Sequence, residues 1–308
     1  MTNAVTVTNL HKDYAGEHAL AGISFDVASG CLLGIVGADG AGKSTLLRIA
    51  VTLSTPNSGS ITVLGHNTVS GYRELRHRIG YMPQKFSLYQ DLTVRENLVF
   101  FADIFGLSGK AREQQIAKLL DFSRLTQFQN RRSRDLSGGM KQKLALSCTL
   151  IHTPEIIFLD EPTTGVDPVS RREFWDILFN LKKQGITIIV STPYMDEAQQ
   201  CDELLIMNRG ALLRHGTPDT LIAGYPHALF AIESSHATLT YPHNGKLPAG
   251  CVLMYPSAGT LHVAVADTTM SEADVLATIQ TILPDATDCT AIKPGVEDLF
   301  IYLLSKPV

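Results

Sequence analysis

The feature that most constrains this 308-residue chain is a glycine-rich segment near its N-terminus. Residues 37–45 read GADGAGKST and fit the pattern G-x-x-x-x-G-K-[ST]. An apolar run bounded by glycine, residues 30–36, precedes the segment, and a stretch with helical spacing that includes Leu46 and Leu47 follows it. A strand, then a glycine-rich turn, then a helix is the order in which phosphate-binding loops occur. The segment therefore predicts an α/β fold of the P-loop NTPase class.

The predicted loop has the residue types that phosphate binding requires. Small side chains let backbone N–H groups crowd around phosphate oxygens, and the helix N-terminus adds partial positive charge. Lys43 is expected to reach the β- and γ-phosphates, and Ser44 to hold magnesium. A glycine turn that binds nothing is the alternative, which the flanking pattern disfavours. The predicted nucleotide-binding residues here are Gly37, Ala38, Asp39, Gly40, Ala41, Gly42, Lys43, Ser44 and Thr45.

A second motif supplies carboxylates. The apolar run Ile156 to Leu159 reads as a buried strand and is followed directly by Asp160 and Glu161. Open α/β sheets bind ligands at the carboxyl ends of their strands. Asp160 is therefore expected to hold magnesium through water, and Glu161 to orient or deprotonate an attacking water. The alternative is a buried strand with two solvated carboxylates.

The order of elements predicts two domains. Apolar runs alternate with helical patterns such as Asp167 to Lys183, which favours a largely parallel sheet covered on both faces. A helical subdomain is expected at about 86–153, inside an N-terminal domain of residues 1–219. Residues 220–308 predict a small α+β domain with three strands and a helix near 271–283.

The charge, the cysteines and the apolar runs of the chain argue against several classes of protein. The net charge of −4 provides no general attraction to nucleic acid, so no nucleic-acid partner is expected. The five cysteines are scattered and predict neither a disulfide framework nor a zinc site. The N-terminus does not read as a secretory signal, and no apolar run approaches the roughly 18 residues of a spanning helix. A role in transport would therefore need another polypeptide.

Residues 136–142, LSGGMKQ, resemble the LSGGQ signature of ATP-binding-cassette (ABC) ATPases. Ser137 can cap a helix whose two glycines expose its backbone. The resemblance implies that Ser137, Gly138 and Gly139 contact the γ-phosphate of ATP bound to a second subunit. It also implies roles for Tyr14 in stacking on adenine, for Gln84 in contacting magnesium and hinging toward a permease, and for Asp167 in a D-loop at the dimer interface. The match covers residues 1 to about 217.

The C-terminal end resembles a narrower group. Residues 297–300, EDLF, are similar to the closing motif of ABC-2 type drug-exporter ATPases, including the daunorubicin-resistance group. Residues 81–89 and 136–143 are similar to the first cassette of YbhF-type multidrug efflux ATPases. These resemblances imply a RecA-like core that binds ATP and Mg²⁺. They also imply that ATP hydrolysis drives export, and multidrug efflux is the expected kind of transport. They also imply an ABC-2 type permease and a second cassette as partners, at the cytoplasmic face of the inner membrane. Phe86 to Tyr89 is the expected permease surface.

One position departs from the family pattern. Residues 191–194 read STPY, with Pro193 where the family has a histidine that contacts the γ-phosphate. Proline offers no donor there, so this site is expected to turn over slowly, and a different chain could supply the second cassette. A nucleotide-binding regulatory cassette with weak hydrolysis is one alternative. A non-transport ABC ATPase is another, although neither a second cassette nor a long coiled coil is present in the sequence.

Overall fold

The computed structural model describes residues 2–85, 88–234, 247–257 and 259–306. Phe86, part of the expected permease surface, lies outside these residues. The chain divides into two compact units, Met1–Pro218 and Asp219–Val308. The first contains β1 (Asn3–Tyr14), β2 (Glu17–Ala28), β3 (Leu32–Gly37), α1 (Lys43–Ala50), β4 (Ser58–Val63), β5 (His66–Asn67), α2 (Tyr72–Leu75), β6 (Ile79–Met82), α3 (Val94–Ile104), α4 (Gly109–Phe122), α5 (Gly138–Thr149), β7 (Ile156–Asp160), α6 (Pro168–Lys183), β8 (Thr187–Ser191), α7 (Met195–Ala198), β9 (Glu203–Asn208) and β10 (Ala211–Gly216), and α8 (Pro218–Ala223) spans the division.

The centre of the first unit is a six-stranded sheet in the order β10-β9-β3-β8-β7-β6. All neighbours are parallel except β10, which runs antiparallel to β9 at the edge. Every residue of β3, β7 and β8 is buried, as their continuous apolar runs predict. The chain segments that follow these three strands therefore leave the sheet at the same edge, side by side.

A second, antiparallel sheet has the order β2-β1-β4-β5. Its buried side chains alternate along β1 and β2, with Val5, Val7, Ile23 and Phe25 facing inward. They join the side chains of α1, β3 and β4 in one hydrophobic core. The hairpin between β1 and β2 pairs Tyr14 with Glu17, which fixes the position of Tyr14 at its tip.

Three helices, α3 to α5, follow β6 along the chain. A capping box starts α3, in which Thr93 and Glu96 each accept from the other's backbone N–H. The buried amide of Asn97 donates to the backbone oxygens of Tyr89, Leu92 and Thr93, which fixes the loop before α3. The Ser137 side chain caps α5 by accepting from the Met140 N–H. Within the described residues no helix is both long and apolar enough to cross a membrane.

The second unit contains β11 (Ala228–Ser234), β12 (Cys251–Ser257), β13 (Thr260–Val265), α9 (Glu272–Gln280), β14 (Ala286–Ile292) and α10 (Val296–Ser305). Its antiparallel sheet has the strand order β12-β13-β11-β14. The strands and helix expected from the sequence occur, and β14 and α10 are additional. Asp298, in the first turn of α10, is buried and accepts from Tyr255 Oη, His262 Nδ1 and the Gly295 N–H. Residues 297–300, which resemble a closing motif, thus form the first turn of α10, and Asp298 anchors that turn to this sheet.

Candidate nucleotide-binding site

The glycine-rich loop lies between β3 and α1 and has little room for side chains. Gly40 and Gly42 have φ angles of 76° and 100°, which only glycine adopts readily. A Cβ on Gly42 would lie 2.4 Å from the Ala19 oxygen, and one on Gly37 would lie 2.6 Å from the Met207 oxygen. The glycines at 37 and 42 therefore let the loop pass close to neighbouring backbone.

Lys43 begins α1, and its side chain is buried within the loop. Its ammonium donates to the Gly37 oxygen at 2.8 Å and to the Ala38 oxygen at 3.2 Å, and lies 3.6 Å from Glu161 Oε1. Only 4% of Lys43 is exposed, so the cation is held at the loop by two carbonyls and a carboxylate. These contacts are ones that a phosphate group could replace with stronger acceptors.

A chain of hydrogen bonds joins the ends of three elements. Ser44 Oγ, at the start of α1, donates to Asp160 Oδ1 at 3.0 Å. Ser191 Oγ, at the end of β8, donates to the same oxygen at 2.9 Å and accepts the Glu161 N–H at 2.9 Å. Asp160 is 1% exposed and Ser191 0%. The parallel sheet therefore brings together three residues that lie far apart in the sequence.

Glu161 follows β7 in the left-handed region, with φ 49°, a conformation that is unfavourable for a side chain with a Cβ. Its Oε2 accepts from Gln84 Nε2 at 2.8 Å and from Thr164 Oγ1 at 3.4 Å. The same carboxylate faces Lys43 through its other oxygen. Glu161 is thus held in one orientation by residues that precede and follow it in sequence.

Lys43, Ser44, Gln84 and Glu161 line a cleft of about 480 Å³, together with the tip of the β1–β2 hairpin. Tyr14 is 45% exposed at its mouth, with the Lys12 ammonium 4.9 Å from the ring centre. Of the predicted nucleotide-binding residues, Tyr14, Asp39 to Thr45 and Gln84 line the cleft, and Gly37 and Ala38 supply the carbonyls behind it. The cleft has a flat aromatic group at one end and a phosphate-loop backbone at the other.

The structure locates the remaining predicted residues at two helix starts. Ser137 caps α5, and a Cβ on Gly138 would make an ordinary contact with the Gly165 oxygen at 3.8 Å. Gly139 is different, because a Cβ there would lie 2.5 Å from both Cβ and Oγ of Ser170 on α6. Asp167 caps α6 by accepting the Ser170 N–H at 2.9 Å, and this bond lowers the pKa of its carboxyl. Gly139 is thus required for close packing of α5 on α6.

Pro193 lies in the turn between β8 and α7 and is exposed. Among the residues that the structure describes, it is not part of the cleft lining. The sequence alone drew attention to this position but missed its neighbours. Ser191, Thr192 and Glu197 all bond to buried groups close to Glu161, and the only sequence signal for them is their position after a strand of the parallel sheet.

The oxygen atoms of Asp160 and Ser44 are suitable ligands for a magnesium ion. Mg²⁺ prefers oxygen ligands and is commonly held by one or two carboxylates together with substrate phosphates. Asp160 Oδ1 and Ser44 Oγ lie within a hydrogen bond of each other beside the phosphate loop, so a cation could bind both oxygens. Gln84 also borders the cleft, with its nitrogen directed to Glu161.

Comparisons with known proteins agree with this geometry. The family model described as "ABC transporter" matches residues 20–164. The chain is 45% identical over 234 residues to the probable multidrug ABC transporter ATP-binding protein YbhF of Escherichia coli (strain K12), a match that covers 75% of this chain and 40% of that protein. It is 41% identical over 249 residues to the Nod factor export ATP-binding protein I of Rhizobium meliloti (strain 1021), covering 77% of this chain and 74% of that protein. The chain thus spans less than half the length of the first relative.

Two solved structures have the same fold. An ATP-binding subunit of an ABC transporter superposes with a TM-score of 0.65 at 29% identity, over 72% of this chain and 93% of that one. A dimeric cassette in a post-hydrolysis state bound to ADP and Pi superposes with a TM-score of 0.63 at 26% identity, over 69% and 98%. The predicted fold class is confirmed, as is the resemblance carried by the motifs. The chain belongs to the ATP-binding proteins of the ABC transporter family.

Proposed function

We propose that this chain binds and hydrolyses ATP as the nucleotide-binding subunit of an export transporter. The observation that carries the proposal is the convergence of Lys43, Ser44, Asp160 and Glu161 at one end of a cleft that has Tyr14 at its other end. The relatives at 41–45% identity are named for multidrug transport and Nod factor export. Multidrug efflux is the narrower transport that we propose on this basis.

The cleft suggests how ATP is held. The adenine would stack on the exposed Tyr14 ring, and the phosphates would lie over residues 39–45. The Lys43 ammonium would exchange its carbonyl contacts for the β- and γ-phosphate oxygens, which are stronger acceptors because they are charged. The buried position of Lys43 means that little rotamer freedom is lost on binding.

Ser44 and Asp160 are the residues proposed to hold Mg²⁺, with Gln84 at the border of that site. When bound, the cation neutralises charge on the phosphates. The protein's own contribution is to keep Asp160 fixed, which Ser191 does through its hydroxyl. A water attacks the γ-phosphorus, the bond to the β-phosphate oxygen breaks, and ADP and inorganic phosphate result. Glu161 orients the water and accepts its proton.

A second cassette would complete the site. Ser137, Gly138 and Gly139 lie at a helix N-terminus, where free N–H groups favour an anion. We propose that this end contacts the γ-phosphate held by the other subunit and that Asp167 adjoins the same interface. The dimeric cassette structure among the relatives supports this arrangement.

The membrane partner is proposed to be an ABC-2 type permease, which would hold this chain at the cytoplasmic face of the inner membrane. A second cleft of about 250 Å³ offers a docking surface. It is mainly apolar and includes Leu53, Tyr81, Leu88, Phe101 and Phe105. Tyr81 is three residues from Gln84, so movement of a docked helix would reach the Gln84–Glu161 hydrogen bond through β6.

A second candidate function follows from Pro193. Without a donor there, the subunit could act as a nucleotide-binding regulatory cassette that closes on ATP and hydrolyses it slowly. The retained Glu161 favours catalysis, and the proline favours the regulatory role. Turnover of the full chain, alone and mixed with a second cassette, separates the two.

The test of the proposed function uses two site variants and one control variant. Lys43→Ala is expected to lose tight binding of a fluorescent ATP analogue, whereas Lys118→Ala, at an exposed position, should bind as the wild type does. Glu161→Gln should bind the analogue but release no phosphate. Binding by Lys43→Ala with unchanged affinity would contradict the site, and wild-type turnover by Glu161→Gln would remove Glu161 from the chemistry.

A further inference from the structure

A buried carboxylate outside the nucleotide cleft connects the loops that carry the site. Glu197, in the short helix α7, is 2% exposed. Its Oε2 accepts from Thr163 Oγ1 at 3.0 Å and also from Thr192 Oγ1. Burying a charged group is costly unless it is well paired. Here the two hydroxyls pair Oε2, whereas Oε1 accepts no hydrogen bond from the described residues.

The Thr163 hydroxyl holds the chain segment that follows Glu161 in place. Thr163 is 1% exposed and lies two residues beyond Glu161, and its backbone oxygen accepts the Val166 N–H at 3.1 Å. Because Glu161 has a left-handed backbone, the segment that leaves it must be held for the carboxylate to keep its direction. The Thr163 hydroxyl is the anchor of that segment.

The Thr192 hydroxyl holds the chain segment that follows β8 in place. Thr192 follows Ser191, the residue that binds both Asp160 Oδ1 and the Glu161 N–H. Its hydroxyl donates to Glu197 and accepts the Tyr194 N–H at 3.1 Å, so it shapes the turn that contains Pro193. Both hydroxyls therefore tie catalytic segments to the same oxygen.

The third partner is Arg171 in the first turns of α6. Its NH1 lies 3.9 Å from Glu197 Oε1, and its guanidinium lies 4.2 Å from the centre of the Tyr194 ring. Helix α6 is the one that Asp167 caps. The Glu197 carboxylate thus joins the segment after Glu161, the Pro193 turn and the start of α6.

We propose that Glu197 is a positioning residue for ATP hydrolysis, which acts by fixing the segments 161–167 and 191–194 relative to each other. It does not line the described cleft, so its effect reaches the reaction through Thr163 and Thr192. With proline at 193, no side-chain donor at that position can align the turn, and the Thr192–Glu197 bond performs that task. The inference rests on the proposed function.

The experiment measures kcat and KM for ATP and the affinity for ADP in the full chain. Glu197→Gln keeps the shape and an amide oxygen that can still accept from Thr163 and Thr192, but it removes the negative charge and turns an N–H₂ group toward the Arg171 guanidinium. Replacing two charge-assisted hydrogen bonds by weaker neutral ones and losing the ion pair corresponds to roughly a tenfold or greater effect, so kcat should fall by about 10- to 100-fold while KM and ADP affinity change less than about twofold. Glu203→Gln is the matched control, since Glu203 pairs with His215 at the start of β9, away from the carboxyl ends of the strands where the cleft lies.

Hydroxyl variants keep the test decisive if Glu197→Gln is unstable. Thr163→Val is nearly isosteric and removes only the hydroxyl, whereas Thr163→Ser retains it. We expect the valine variant to lose kcat and the serine variant to keep most of it. The valine and glutamine changes share the Thr163–Glu197 contact, so their combined cost should be smaller than the sum of the two single costs.

The outcomes separate the two proposals. Loss of kcat with KM retained, rescued by serine, supports the positioning role. Equal kcat in Glu197→Gln and wild type, with Glu161→Gln inactive, would reject the positioning role and leave the proposed function intact. A fall in ADP affinity that matches the fall in kcat would mean a general structural role and would also reject it. Full turnover by Glu161→Gln would reject the proposed function itself.

Discussion

Ser191→Ala is the most direct perturbation of the site that leaves every predicted ligand in place. The Ser191 hydroxyl donates to Asp160 Oδ1 at 2.9 Å and accepts the Glu161 N–H at 2.9 Å. Alanine fits the same space and removes both bonds. The Glu161 N–H would then be buried without this acceptor, in a residue whose left-handed backbone is already unfavourable.

The expected magnitude follows from the two bonds. A hydrogen bond to a charged group contributes about 1.5–3 kcal/mol and a neutral one about 0.5–1.5 kcal/mol, so the free energy of unfolding should fall by about 2–4 kcal/mol. In a unit of this size that corresponds to a decrease in Tm of roughly 5–15 °C. Hydrolysis should fall further than ATP affinity, because Glu161 loses its anchor and Lys43 does not.

The assay is thermal unfolding of the full chain together with ATP binding and phosphate release. Ser147→Ala is a matched control, because Ser147 is equally buried but donates only to the Lys143 oxygen one turn earlier in α5. That variant should lose at most about 1 kcal/mol. A Ser191→Ala protein as stable and as active as the control would refute the role assigned to this hydroxyl.

Four further predictions concern other parts of the molecule. Gly139→Ala should lower Tm, since its Cβ would lie 2.5 Å from Ser170. Gly138→Ala should leave Tm nearly unchanged but impair ATP-driven dimerisation, which light scattering measures. A 1–223 fragment should bind ATP with full-length affinity, because the residues lining the cleft precede it; failure of a folded fragment to bind would contradict this division. Pro193→His should raise kcat by roughly tenfold or more if a missing donor limits turnover, and a folded variant with no gain would reject that explanation. Burial raises the pKa of Asp298, but hydrogen bonds from His262, Tyr255 and the Gly295 N–H outweigh it and hold the pKa of this carboxyl below its ordinary value. Asp298→Asn should therefore destabilise the second unit at pH 7 in urea titrations, and the difference from wild type should shrink as the pH falls through the lowered pKa of the native carboxyl.

Local motifs were sufficient to predict the core of the site. The phosphate loop is contiguous, and the strand Ile156 to Asp160 ends in a carboxylate, so motif patterns predicted Lys43, Ser44 and Glu161, which line one cleft in the structure. The helix expected from Asp167 begins at Pro168, with Asp167 as its cap. Each of these features depends on residues close together in the chain, where periodicity and capping rules apply.

The parts that were not predicted depend on strand order. Ser191 meets Asp160 because β8 lies beside β7, and Glu197 meets Thr163 through the same neighbour relation. No local pattern gives that order. The strand β14 was missed because its sequence, ATDCTAI, has two buried side chains and little apolar alternation. Its position follows from pairing with β11, a tertiary constraint that overrides weak propensity.

The close approach of α5 and α6 at Gly139 limits how the helical part of the first unit can move. The two helix starts are in contact there, and lower down Lys143 of α5 is paired with Glu173 of α6. Two attachments along one pair of helices prevent them from sliding or turning separately. Residues 137–139 at the start of α5 and Asp167 at the start of α6 therefore move together as one rigid body. Any hinge between the helices and the parallel sheet must lie in the loops on either side of this pair, and a rotation of α3 and α4 that reaches Ser137 will also move the segment that carries Asp167.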